Sequence, residues 1–169
     1  ATTYTWTNNS TSIGLAASGS GDIPSFLTEN TGTTPLIATI TVTPRANNCD
    51  GTPQSFTITV NPTPTVTDPA DQVLCNNDLI SPVTFSGTIP GTIYSWTNNT
   101  TSIGLAANGT GNLPSIQALN NGAQTITATI TVTPILNDCI GTPQTFTISI
   151  SPTATLIDPT DQVVCDKSS

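Results

Sequence analysis

From Leu36 to Thr43 the chain alternates with a period of two. Leu36, Ala38, Ile40 and Val42 fall on one side of the alternation, and Ile37, Thr39, Thr41 and Thr43 on the other. On a strand this gives one apolar face and one mostly hydroxyl face. Phe56, Ile58 and Val60 alternate with Thr57 and Thr59 in the same way, and Phe146, Ile148 and Ile150 repeat the pattern. Val83 and Phe85 predict a further strand, and Tyr94 and Trp96 share one face of the next. No segment shows a convincing amphipathic helix. Turn formers stand between the runs: Asn8-Asn9, Gly19-Ser20-Gly21, Asn30-Thr31-Gly32, Asn47-Asn48 and Gly51-Thr52-Pro53. Short strands bounded in this way predict an all-β chain of antiparallel β-sandwiches.

The whole pattern occurs twice, 90 positions apart. YTWTNNSTSIGLAA at 4–17 returns as YSWTNNTTSIGLAA at 94–107, and ATITVTP at 38–44 returns at 128–134. Cys49 returns as Cys139, GTPQSFTI at 51–58 as GTPQTFTI, and DPADQVLC at 68–75 as DPTDQVVC. No insertion or deletion is needed, so the chain is read as a tandem array of one 90-residue unit. NPTPTV at 61–66 and SPTATL at 151–156 read as short semi-rigid linkers. Residues 1–61 are then an incomplete sandwich lacking its first strands, 62–151 a complete one, and 152–169 the opening strand of a third.

Composition narrows the chemistry. Only 7% of the residues are charged, and roughly a fifth are Thr, so hydroxyls and amides coat the outside. Ten acids face two basic residues, for a net charge of −8. Without a basic patch to neutralise phosphates, nucleic acid and anionic membrane surfaces are excluded as partners. No apolar run is long enough for a spanning helix. The chain has no His, which excludes Ser-His-Asp and Cys-His catalysis and every His-containing metal site. Its single Lys, Lys167, leaves neither unit able to form a Lys–Asn isopeptide staple.

The motif order YxWTNN, ATITVTP, NxC, GTPxxFTI, NPTPTV and DQVxC resembles the PKD-like, immunoglobulin-like repeats of very large surface adhesins of Bacteroidetes. Trp6 and Trp96 match the strand-C Trp of that family, although WTNN replaces its usual WxFGDG continuation. The resemblance implies extracellular repeats, often exported through the type IX secretion system, that form stalks or filaments.

Four cysteines without a His or a CxxC read as disulfides rather than as a zinc site. Cys139 lies between the last two strands of its unit, and Cys75 lies early in a first strand expected to begin at that same end. The expected bridge is therefore Cys75–Cys139, with the partners of Cys49 and Cys165 in neighbouring units outside the sequence. Cys49–Cys75 would have to reach across a whole strand and a linker.

Other candidate sites have plain structural readings beside them. Tyr4, Trp6, Tyr94 and Trp96 could stack on a sugar ring, but a Trp central to such a sandwich is its usual core anchor. Asp68 and Asp71, with Asp158 and Asp161, form a DPxDQ pattern beside each linker. These acids offer oxygen ligands for Ca²⁺, or serve as ordinary solvated turn residues. No other cofactor is expected, and no catalytic residue is assigned. The TNNxTSIGLAA segment could recognise a ligand, or cap turns and pack against an adjacent unit.

These readings converge on a non-enzymatic structural repeat segment of an extracellular adhesin stalk or surface filament, whose partners are neighbouring repeats of the same chain or fibre. The alternative is a module that holds a glycan or surface through its sandwich loops. Completion of the first unit by the tail of another copy is disfavoured, because residues 152–169 stop short of a counterpart to 80–90.

Overall fold

The computed structural model describes residues 1–166. Period-two alternation produces strands in both copies of the unit. In the first copy these are β1 (Thr3–Asn8), β2 (Ser18–Ser20), β3 (Leu36–Ala46), β4 (Cys49–Asp50) and β5 (Gln54–Val60). They form one five-stranded antiparallel sheet in the order β2-β1-β3-β4, with β5 also on β3.

The second copy adds a front segment, β6 (Gln72–Cys75) and β7 (Leu79–Ile80). It continues with β8 (Ile93–Asn98), β9 (Asn108–Thr110), β10 (Ile116–Gln117), β11 (Ile126–Leu136), β12 (Cys139–Ile140) and β13 (Gln144–Ser151). A six-stranded sheet, β6-β13-β11-β8-β9 with β12 on β11, faces a smaller layer built from β7 and β10. β6 joins its sheet parallel to β13, while the other pairs are antiparallel.

Register carries over between the copies. Trp6 pairs with Val42 as Trp96 does with Val132, and Ile40 pairs with Phe56 as Ile130 does with Phe146. Since side chains alternate along a strand, this register places the apolar sets of neighbouring strands on one face.

That face makes the core. In the second copy Trp96, Ala128, Ile130, Val132, Phe146, Ile148 and Ile150 from the large sheet meet Val66, Ile80, Phe85, Ile103, Leu105, Leu113 and Ala118. Phe85 stacks at a tilt on Phe146, with centroids 6.4 Å apart. The first copy has a smaller cluster of Trp6, Ile13, Leu15, Ala38, Ile40 and Val60. The chain is thus an all-β sandwich protein, as the alternation predicted, of the immunoglobulin-like kind that the resemblance implied.

Three local expectations change. Val83 and Phe85 do not form a strand: Val83 makes one isolated bridge to Leu113, and the Phe85 N–H donates to Asn112 Oδ1 at 3.0 Å. Residues 152–166 hold no strand, although Gln72–Cys75, the counterpart of Gln162–Cys165, form β6. β6 exists because β13 offers it an edge, and no sheet edge pairs with the tail. Finally, the semi-rigid linker expected at 61–66 is packed into the second copy. Pro62 and Pro64 are fully buried and Val66 belongs to the second core. The Thr67 N–H donates to the Ser86 carbonyl at 2.7 Å, and the Thr88 N–H to Thr65 Oγ1 at 3.1 Å.

Candidate functional site

The aromatic candidates separate by depth. Trp6 and Trp96 lie in the two cores, each indole covering the backbone of a glycine on the neighbouring short strand, Gly19 or Gly109. A Cβ at either glycine would enter the indole ring, so the Trp-Gly pair is one packing unit. Tyr94 is partly covered and packs on Phe85 with centroids 5.9 Å apart, and burial raises its phenol pKa above the ordinary value. Tyr4, its counterpart, is 48% exposed.

The TNNxTSIGLAA segment is held by its own side chains. Asn98 Nδ2 donates to the Leu105 and Ala106 carbonyls at 3.0 and 3.3 Å, while its Oδ1 accepts the Thr100 N–H at 2.9 Å. Asn99 Oδ1 accepts the Thr129 N–H of β11 at 2.8 Å. The loop then makes a 3₁₀ turn, Thr101–Ile103, closed by Gly104 at φ +93°, and it buries Ile103 and Leu105. Asn8 and Asn9 do the same in the first copy. The polar residues repeated between the copies therefore satisfy backbone groups and seat two core side chains.

Asp68 and Asp71 line a shallow cavity of about 400 Å³ with Gln72, Ser81 and Thr84. Asp71 Oδ1 accepts the Thr147 N–H of β13 at 2.6 Å, which ties the start of β6 to its sheet. The pair offers two carboxylates where Ca²⁺ takes roughly six to eight oxygens. Among the described residues no three acidic or Cys side chains gather into a metal cluster. Asp158 and Asp161 are exposed in the tail.

The cysteine geometry corrects the expected pairing. Cys139 pairs with Leu136 at one end of β11, whereas Cys75 lies beside Ser151, next to Ile150, the partner of Ile126 at the other end. Ten residues of β11 separate these ends, roughly 30 Å along the strand. A disulfide tolerates Cα atoms up to about 7 Å apart. Cys75–Cys139 is therefore not a bridge, and Cys49, Cys75 and Cys139 are thiols. β6 runs parallel to β13 and ends at Cys75, so Cys75 sits at the opposite end from Cys139. Alternation alone did not reveal the direction of that strand.

Cys139 instead faces the first copy. It lines a cavity of about 310 Å³ with Thr28, Asn30, the end of β5 from Ile58 to Val60, Asn61 and Thr63. Beside it, Gly141 packs so closely on the Pro64 carbonyl that a Cβ would collide with it, and the Gly141 N–H donates to Pro134 at 2.9 Å. The connection between β12 and β13 thus grips the segment that joins the copies.

The sequence reading overlooked Asn30 and Asn120. Asn120 Nδ2 donates to the Ile150 and Gln124 carbonyls at 2.7 and 2.9 Å, and its backbone N–H donates to Asn76 Oδ1 at 2.8 Å. The signal was present as an Asn-x-Gly at the same position in both copies, whose glycine N–H in each case donates to the Asn Oδ1. A turn was read there, but the long-range bonds were not.

No curated protein matches the chain. Residues 1–64 match the family model described as a PKD-like domain, a module of typically structural and non-catalytic use. The first copy is therefore similar to PKD-like domains, and the second repeats its strands and register.

Proposed function

We propose that this chain is a structural repeat segment of an extracellular adhesin stalk or surface filament. The observation that carries this reading is the clamped junction. Pro62 and Pro64 are buried, Thr65 is hydrogen-bonded to Thr88, and Gly141 presses on Pro64, so the segment leading out of β5 is packed onto the second copy, whose Cys139 shares a cavity with Asn30 and Val60 of the first. A binding array on flexible tethers needs no such contact, whereas a spacer gains its stiffness from it. Hydroxyl faces such as Thr127 and Ser149, which share a hydrogen bond at 2.9 Å, keep the outer surface wet at low charge.

Under this reading the unit boundaries fall near residues 61 and 151, and the polypeptide continues as further copies. Its partners are the neighbouring repeats. Immunogold labelling of intact cells with antibodies against residues 62–151 tests the assignment. Label on extended surface structures is expected, and label confined to the cell interior would overturn it. Saturable binding on a glycan array would favour the sandwich-loop binding module instead.

A further inference from the structure

The cavity beside Cys139 has a counterpart in the second copy, and there it is filled. Thr28, Asn30, Asn61 and Thr63 correspond to Ala118, Asn120, Ser151 and Thr153. In the second copy the Asn77 N–H donates to the Ala118 carbonyl at 2.9 Å, and the Ala118 N–H to the Asp78 carbonyl at 2.8 Å. The Asn120 N–H donates to Asn76 Oδ1, the Asn76 N–H to the Ser151 carbonyl at 2.9 Å, and Asn76 Nδ2 to Thr153 Oγ1 at 3.0 Å. Cys75 pairs with Ser151 in the β6–β13 register. The occupant of this site is therefore the segment Cys75–Asp78. At the first copy the same walls stand ready, with one addition: the wall contributed by the following unit carries a cysteine.

We propose that this cavity receives a β6-type strand, Gln-Val-x-Cys, from the repeat to which residues 1–61 belong, upstream in the same polypeptide, and that its cysteine forms a disulfide with Cys139. An upstream source follows from connectivity, because in the second copy the segment from Val66 to Ile89 leads directly into β8, the counterpart of β1. Placed in parallel register on β5, the incoming Cys lies beside Asn61, which shares the cavity with Cys139. By the same relation, Cys75 pairs with the β12 cysteine of the following repeat. Each sandwich is thus stapled to the next one, not across itself.

The chemistry is thiol–disulfide exchange. The Cys139 thiolate attacks a small-molecule disulfide and releases one thiol. The incoming thiolate then attacks the mixed disulfide and releases the second, so two protons and two electrons leave the protein pair and reduce the small disulfide.

The inference rests on the array reading above, and its failure would leave that reading standing, since packed repeats need no covalent link. The 169-residue chain with Cys75→Ser and Cys165→Ser is incubated with oxidised glutathione and a biotinylated peptide of the sequence TDPADQVLCNND. Cleavage before Asp then places Cys49 and Cys139 on separate peptides. Cys49 sits in the equivalent β3–β4 hairpin of the first copy, so it controls for intrinsic reactivity. Capture of the peptide at Cys139 at least 10-fold faster than at Cys49, lost with a scrambled peptide, is expected. Equal capture at the two cysteines, or capture independent of peptide sequence, would overturn the proposal. In the native polypeptide, non-reducing digestion is expected to join the peptide beginning Asp138-Cys139 to a DQVxC peptide of the same chain. Alkylatable Cys139 would overturn the staple, and a reducible ladder of chains would overturn the in-chain source.

Discussion

Phe56 and Phe146 occupy the same register position in nearly the same sequence, yet Phe56 is 46% exposed and Phe146 2%. The difference is the front segment. Residues 66–89 bring Val66, Ile80 and Phe85 over the large sheet of the second copy, and the first copy has no such cover in this sequence. The contrast extends along the strands: Val132 is fully buried while Val42 is only half so, and Ile148 is buried while Ile58 is not. Two copies of one sheet therefore act as a difference measurement. Whatever changes between them reports on the front layer, and whatever stays constant belongs to the sheet itself.

The largest break in this comparison is expected from Phe146→Ala. Removing a fully buried ring leaves a cavity against Phe85 and costs about 3–5 kcal/mol. Phe56→Ala removes a half-exposed ring and is expected to cost less than about 1 kcal/mol. Urea unfolding followed by Trp fluorescence, with Trp6→Phe or Trp96→Phe isolating one copy at a time, reads the two effects separately. Similar costs at both sites would mean that the first copy is already covered.

Gly19→Ala and Gly109→Ala sharpen the comparison from the other side, because each places a methyl group into an indole that both copies bury equally. A cost of about 1–3 kcal/mol is expected in each copy, together with a change in near-ultraviolet dichroism. An effect confined to the second copy would show that the front layer, and not the glycine, holds the Trp.

Asn120→Ala follows, at about 1–3 kcal/mol, because the Ile150 and Gln124 carbonyls lose their donor in a buried site. Asn30→Ala removes the same two bonds, to Val60 and Thr34, but the Thr34 one is exposed to water, so its cost falls at the low end of that range. The shift in the urea midpoint of each copy is the measurement.

Much of this was legible in the chain. The alternation at 36–43 and 56–60 and its repetition 90 residues on gave the strands, their apolar faces and the two-copy plan, because period two and burial on one face are a single physical statement. Trp6 and Trp96 were readable as core residues because a Trp central to such a sandwich is its usual anchor. The direction of β6 was not legible: QVLC is too short to fix which neighbour it joins, and the parallel pairing that carries Cys75 away from Cys139 is a tertiary choice made by β13. The junction was hidden for a related reason. NPTPTV looks like a semi-rigid linker by composition, and its burial depends on Gly141 and Ser86, residues distant in sequence whose fit to it leaves no local pattern.

The smallest effect expected is electrostatic. Burial raises the Tyr94 phenol pKa, so the folded protein holds that proton more tightly than the unfolded chain, whose phenol titrates near about 10. Below the unfolded value both states are protonated and stability is unaffected by this group. As pH rises through the window between the unfolded and folded values, the unfolded state ionises first, and stability declines with pH. Tyr94→Phe is expected to flatten that part of the decline in the second copy while retaining the ring contact with Phe85. Tyr4→Phe makes the companion measurement on a residue that lacks the Phe85 contact. If Tyr94→Phe leaves the alkaline slope of the second copy unchanged, the front layer does not desolvate the phenol, and Phe85 covers only the ring.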